Sequence, residues 1–220
     1  MSNKDVFMMT EGNDWLSRNE SKLQERDITK HPSFVAVDRV LSQVTKKVDS
    51  KPRILEIGCS SGTVLAALCE RHDVDVYGVD PSTDAIAKAH GSGIDAHVAT
   101  ADALPFNDGF FDVVLFGFCL YVCDRKDLFR IAMEADRVLC ANSWVVIHDF
   151  FSPKSVSKSY SHSDGVRMNK DDFRQMFLWH PFYECFSHEV VATETGLPTD
   201  NVDDWVCTSV LRRSEGSELA

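Results

Sequence analysis

The sequence predicts an α/β protein built on a mostly parallel sheet with helices on both faces. Three segments carry that expectation: ILEIGCSSG at Ile54 to Gly62, YGVDPS at Tyr77 to Ser82, and FDVVLFGF at Phe111 to Phe118. Each holds a short apolar run of the kind that fills a strand buried on both faces, and the first two set an acid beside a turn.

In the first segment Ile54, Leu55 and Ile57 are β-formers, and the chain must then turn sharply into the apolar-periodic stretch from Thr63 to Cys69. Gly58 and Gly62 permit backbone angles and close ligand approach that a side chain would block, so the turn is expected to expose backbone N–H groups. The spacing discriminates between ligands. A dinucleotide fingerprint wants glycines at GxGxxG, whereas this chain has Ser60 at the second glycine position and Thr63 at the sixth place, which disfavours pyrophosphate. The pattern Glu56, x, Gly58, x, Ser60, x, Gly62 instead resembles motif I of class I S-adenosylmethionine-dependent methyltransferases. That resemblance implies that Glu56, Gly58 and Gly62 help to hold the cofactor.

Val74, Val76, Tyr77 and Val79 predict the second strand, and Asp80 stands at its C-terminal end, where open α/β sheets place ligand-contacting groups. A carboxylate there can accept from two vicinal ribose hydroxyls. It can also simply cap the next helix, since Asp before Pro at the first helical position is a favoured N-cap. Pro81 is placed at that helix start, beside the cofactor, and the helix is expected to run through Ile86, Ala87 and Ala89 towards Gly91.

ATADALPFNDGFFDVVLFGF, from Ala99 to Phe118, is similar to the methyltransferase run in which an Asp and its neighbour hold the adenine. The resemblance implies that Asp102 accepts from the adenine amino group, that the Ala103 N–H meets a ring nitrogen, and that Phe118 ends the fourth strand at the cofactor. RVLCANSWVVIHDF, from Arg137 to Phe150, resembles the helix end and fifth strand of the family. Many relatives have Lys-Pro-Gly-Gly where this chain has Cys140, Ala141, Asn142 and Ser143, which puts the turn geometry there in question. The resemblance covers about residues 50 to 150. It implies the class I methyltransferase fold, a Rossmann-like seven-stranded mostly parallel sheet, completed by strands near Ser187 to Ala192 and Asp204 to Leu211.

A chain of 220 residues suits one domain with a sizeable core. A net charge of −11 without a clustered basic tract argues against binding a phosphate backbone, so no nucleic-acid partner is expected. The start lacks a signal-peptide pattern, and the longest apolar stretch, Phe110 to Cys123, is interrupted by Asp112 and too short to span a bilayer. A cytoplasmic protein without membrane contact is the expectation. Seven cysteines without a Cys-x-x-Cys pair fit reduced thiols, and eight histidines lack zinc-type spacing, so no metal is expected.

Residues 1–30 are polar and mixed, with Trp15, Arg18 and Asn19 standing out. Two readings stay open. The segment is a lid over the cofactor with Arg18 reaching its carboxylate, as in many related enzymes, or it is a solvated segment anchored by Trp15. Residues 31–212 are expected to form the S-adenosylmethionine-binding domain and residues 213–220 a disordered tail. Pro32 opens a helix whose stripe Phe34, Val37, Leu41, Val44 and Val48 reads as core packing. Ser152 to Ser163 reads as a loop that shapes the acceptor pocket. Phe173, Met176, Phe177 and Trp179 on the next helix either wall that pocket or pack ordinarily.

The expected chemistry is transfer of a methyl group from S-adenosylmethionine to a small-molecule acceptor by direct displacement. A sugar or sugar nucleotide leads, because Trp15 to Asn19 and Tyr160 to His162 look similar to elements of bacterial methyltransferases found with sugar-biosynthesis enzymes. A hydroxyl acceptor needs its proton removed, and His148 beside Asp149, then His162, are the catalytic candidates. Each also has a structural reading, a packed His148 or a solvent-facing His162. A catalytically silent cofactor-binding partner subunit and a nicotinamide-dependent oxidoreductase remain as alternatives, the latter opposed by the glycine spacing.

Overall fold

The apolar runs of the sequence become five parallel strands: β1 (Arg53–Ile57), β2 (Asp75–Asp80), β3 (Asp95–Val98), β4 (Phe111–Gly117) and β5 (Leu139–Phe150). A short antiparallel pair, β6 (Val156–Ser159) and β7 (Arg167–Lys170), stands apart from them. Two long strands, β8 (Tyr183–Ala192) and β9 (Trp205–Arg213), complete a seven-stranded sheet of order β3-β2-β1-β4-β5-β9-β8, in which β9 runs antiparallel to both of its neighbours. This computed structural model describes residues 1–44 and 50–215.

Successive side chains of a strand point to opposite faces, and the core divides accordingly. Leu55, Val114, Phe116, Val145 and Ile147 face one layer, where helix α6 (Leu128–Val138) and the one-turn α7 (Gln175–Leu178) cover them with Ile131, Ala135, Val138 and Phe177. Ile54, Val113, Leu115, Trp144 and Val146 face the other, under α3 (Pro32–Leu41), α4 (Thr63–Arg71) and α5 (Thr83–Gly91). Helices therefore lie on both faces, and the fold is the expected one. The strand order reverses between β1 and β4, so their C-terminal ends open a crevice where open α/β sheets bind ligands.

Several local expectations need correction. Residues 3–25 are helical: α1 (Asn3–Val6), a π-helical turn Phe7–Glu11, and α2 (Gly12–Glu25) follow one another. The helix from Pro32 ends at Leu41, and Val48 lies outside the described residues. The helix after Asp80 starts at Thr83 with Ser82 as its N-cap, so neither Asp80 nor Pro81 opens it. Cys140 to Ser143 form no free turn; they bulge within β5, where Leu139 pairs with Phe111 but Trp144 already pairs with Val113. Asn142 takes the left-handed conformation there, at φ 58°, in place of a glycine. Ser152 to Ser163 is not all loop, because β6 lies within it. Its residues are largely exposed and polar, so no period-2 apolar signal marked the strand. Arg213 belongs to β9 and its guanidinium donates to Asp136 at 2.9 Å; of the predicted tail, residues 216–220 lie outside the described residues.

Candidate cofactor and acceptor site

The crevice at the ends of β1, β2 and β4 holds a cavity roofed by the N-terminal helices. It brings together Gly58, Asp80, Pro81, Asp102 and Phe118 of the residues expected from sequence. Gly58 sits at φ 78°, and a Cβ there would stand 2.7 Å from the Cys119 Cβ, so only glycine fits the turn. Gly62, at φ 76°, stands at the N-terminus of α4, outside the cavity lining.

The turn spends most of its backbone donors within the protein. The N–H groups of Gly58 and Cys59 both donate to the Val79 carbonyl, at 2.8 and 3.1 Å, and that of Gly62 donates to Cys59 at 2.9 Å. The Ser60 N–H donates to Asp80 Oδ2 at 2.9 Å. What the turn contributes is space and a fixed Asp80, whose Oδ1 also accepts from the Ser82 N–H at 2.9 Å. Burial pushes the Asp80 carboxyl up, against the pull of those two N–H groups. Each oxygen retains lone-pair capacity towards the cavity.

Glu56 lies beneath the turn, fully buried, and does not line the cavity. Burial, then the neighbouring Asp80 charge, hold its carboxyl well above the usual range. Its Oε2 has no protein partner, while Oε1 would stand 2.6 Å from a Cβ added at Gly117, one of the cavity-lining residues. The carboxyl group thus lies behind Gly117, with Oε1 and not the unpartnered Oε2 next to the cavity wall.

On the far side, Asp102 accepts from Lys4 Nζ at 2.8 Å. Burial alone would raise the Asp102 carboxyl, but Lys4 and Thr100 hold it below its ordinary value. The Ala103 N–H is spent on the Thr100 carbonyl at 3.0 Å and is not free to meet a ring nitrogen.

Phe118 follows β4 at φ 58°, a strained setting for an aromatic residue, fixed by its N–H bonding the His148 carbonyl at 2.9 Å. Its ring lies 4.7 Å from that of Phe150 and 5.4 Å from that of Tyr121. Fully buried Asp149 ties down the turn that carries Tyr121, accepting from the Leu120 N–H at 2.7 Å.

The catalytic candidates stand elsewhere. His148 is buried behind Phe118, with its Nδ1 2.9 Å from the Thr208 hydroxyl and its ring edge-on to His31, and it does not line the cavity. Burial lowers its pKa to about 3, so it is neutral at physiological pH. His162 is exposed, on the turn between β6 and β7, with its ring 5.3 Å from Tyr160. Arg18 is engaged by Glu11 and lies 3.4 Å from the Tyr160 hydroxyl, outside the lining. Phe173, Met176 and Phe177 pack into the core against α6, and Trp179 is exposed, so none of them walls the cavity.

Sequence reasoning missed Lys4, Phe7, Gly12 and Tyr121, all of which line the cavity with Trp15. Gly12 brings the N-terminal helix onto α5: a Cβ there would stand 3.1 Å from the Ser82 nitrogen. Asn13 Oδ1 accepts from the Ser82 hydroxyl at 2.7 Å, and Asn3 Nδ2 donates to the Val122 and Arg167 carbonyls at 2.9 and 2.7 Å. The roof is thus held at both ends. Among the described residues no cluster of metal-ligating side chains occurs, and no helix is long and apolar enough to cross a membrane.

Comparison with known proteins agrees with this geometry. Residues 55–147 match a family model described as a methyltransferase domain. An uncharacterized protein of Haemophilus influenzae is 32% identical over 106 residues, a match that spans 44% of this chain and 42% of that protein. Among solved structures, the Burkholderia thailandensis 1,6-didemethyltoxoflavin-N1-methyltransferase, with bound 1,6-didemethyltoxoflavin and S-adenosylhomocysteine, superposes with a TM-score of 0.66 at 14% identity, covering 92% of this chain and 86% of that one. A chain from the Haloferax volcanii complex of the Trm112 methyltransferase activator gives 0.67 at 17% identity, covering 99% and 100%. These structural likenesses concern the fold. Residues 55–147 thus match a methyltransferase domain model, and the chain shares the fold of solved S-adenosylmethionine-dependent methyltransferases.

Proposed function

We propose that this chain transfers a methyl group from S-adenosylmethionine to a small-molecule acceptor. The observation that carries the reading is the convergence on one cavity of two carboxylates, Asp80 at the end of β2 and Asp102 in the loop after β3, around the side-chain-free Gly58. Asp80 is suited to accept from ribose hydroxyls and Asp102 from the adenine amino group. When bound, the cofactor supplies an electrophilic methyl group on a sulfonium. The chain's own part is to align an acceptor with it and to exclude water, and alignment of this kind is worth up to about 7–11 kcal/mol. The roof of residues 3–25 serves as the lid.

Among the described residues the lining contains no histidine. His148, behind Phe118, and His162, beyond Tyr160, stand outside it, which favours an acceptor whose nucleophile needs no histidine base. A small molecule fits a crevice closed by its own roof better than a macromolecule does, and the Burkholderia thailandensis neighbour holds a small molecule.

The test is methyl transfer from labelled S-adenosylmethionine by the purified chain into a metabolite extract, read by mass spectrometry. A labelled product that vanishes in Asp80→Ala supports the reading. Cofactor binding without any labelled product favours the silent-subunit alternative, and binding of NAD in preference to S-adenosylmethionine favours the oxidoreductase.

A further inference from the structure

We infer that the acceptor is an uncharged, ring-bearing aromatic or heteroaromatic molecule, not a sugar nucleotide; this rests on the methyltransferase reading and specifies its substrate. Once Gly58, Asp80 and Asp102 are assigned to the cofactor, the remaining wall is dominated by Phe7, Trp15, Phe118 and Tyr121. These rings are held in place from behind. Phe118 is fixed by its strained backbone and by Phe150, Tyr121 stands edge-on to the same Phe150 ring at 5.2 Å, and Phe7 lies 6.1 Å from the Tyr160 ring. Rigid ring faces in a crevice recognise another ring by stacking and edge contacts at low entropic cost.

Charge points the same way. Among the described residues that line the cavity the acids are Asp80, Asp102, Asp124 and Asp127, and the cation is Lys4, which Asp102 already pairs. Arg18, on the roof, is turned onto Glu11, and Arg130, outside the lining, has its Nε taken by the Asp102 carbonyl at 2.9 Å. A phosphate entering this crevice would meet carboxylates without a free cationic partner, an unfavourable contact strengthened by the low dielectric of the site. A positively charged sulfonium cofactor, by contrast, suits an acidic surround.

The test compares matched probes on the protein saturated with S-adenosylhomocysteine: 2-naphthol, 2-naphthyl phosphate and UDP-glucose, by calorimetry and saturation-transfer NMR. The expected result is 2-naphthol bound about tenfold or more tighter than either anion, with Trp15→Ala and Tyr121→Leu each weakening it about fivefold. Trp15→Ala, on the half-exposed roof, keeps the test decisive if the buried Tyr121→Leu variant fails to fold. Equal or tighter binding of UDP-glucose or 2-naphthyl phosphate overturns the inference, as does 2-naphthol binding that ignores both substitutions. Failure of the wild-type protein to take up S-adenosylhomocysteine overturns the methyltransferase reading itself, and the titration reports this before any acceptor is added.

Discussion

Lys4 Nζ stands 2.8 Å from Asp102 Oδ2, an ion pair that joins the first turn of the N-terminal helix to the loop after β3. The roof of the crevice is thereby fastened to the carboxylate assigned to the adenine. Lys4 keeps Asp102 ionised, and Asp102 keeps the roof down.

Replacing Lys4 with Met loosens this fastening without disturbing the core. The Lys4 side chain is 41% exposed, so the pair is worth no more than about 1 kcal/mol. Cofactor affinity is expected to fall about twofold to fivefold, mostly through faster dissociation, and Lys4→Arg is expected to restore most of it. Stopped-flow dissociation of S-adenosylhomocysteine checks this; an unchanged off-rate removes Lys4 from the latch.

Gly12→Ala attacks the same roof from its middle. The added Cβ would press 2.8 Å from the Phe7 carbonyl oxygen and 3.1 Å from the Ser82 nitrogen, both of them backbone atoms that cannot swing aside. Overpacking of this kind costs about 1–3 kcal/mol. The cost falls on the docking of residues 3–25 onto α5. Limited proteolysis is expected to cut that segment faster, with little change in the thermal midpoint of the remaining domain. Equal cleavage rates for variant and wild type would show that the roof does not depend on Gly12.

His31 and His148 make folding sensitive to acid. Burial lowers their pKa values from 6.5 to about 4 and about 3. The folded chain keeps both neutral while the unfolded chain takes up protons below about pH 6.5, so stability falls as the pH drops through that value towards 4. At pH 5 His148 alone costs about 2 kcal/mol. Thermal melts of His148→Gln between pH 5 and 8 are expected to show a flatter dependence than wild type, and parallel curves would refute the assignment. Because His148 sits behind Phe118, the variant is also expected to retain turnover.

The parts of the fold legible in the sequence were those where burial is continuous. Leu55, Val114 and Ile147 belong to runs that only a doubly covered strand explains, and Asp80 and Asp102 flank turns whose chemistry is local. The roof was not legible in the same way. Lys4 and Phe7 sit in a polar stretch without a strong period, and their partners, Asp102 and Tyr160, lie 98 and 153 residues away. His148 misled for a related reason. A histidine at a strand end looks catalytic in one dimension, and only the antiparallel β9, which brings Thr208 to its Nδ1, shows that it is held inside the sheet. Likewise, the glycine turn suggested free backbone donors that the neighbouring β2 in fact consumes through the Val79 carbonyl.

Calorimetric titration of S-adenosylhomocysteine into wild type and Asp80→Asn tests most directly whether an adenosyl ligand sits at this crevice. Wild type is expected to bind one equivalent with micromolar affinity. Asp80→Asn, which loses charge-assisted bonds worth about 1.5–3 kcal/mol, is expected to bind about tenfold to a hundredfold more weakly. Absence of heat from wild type at millimolar ligand, or equal affinity of the two proteins, would contradict the assignment of the site.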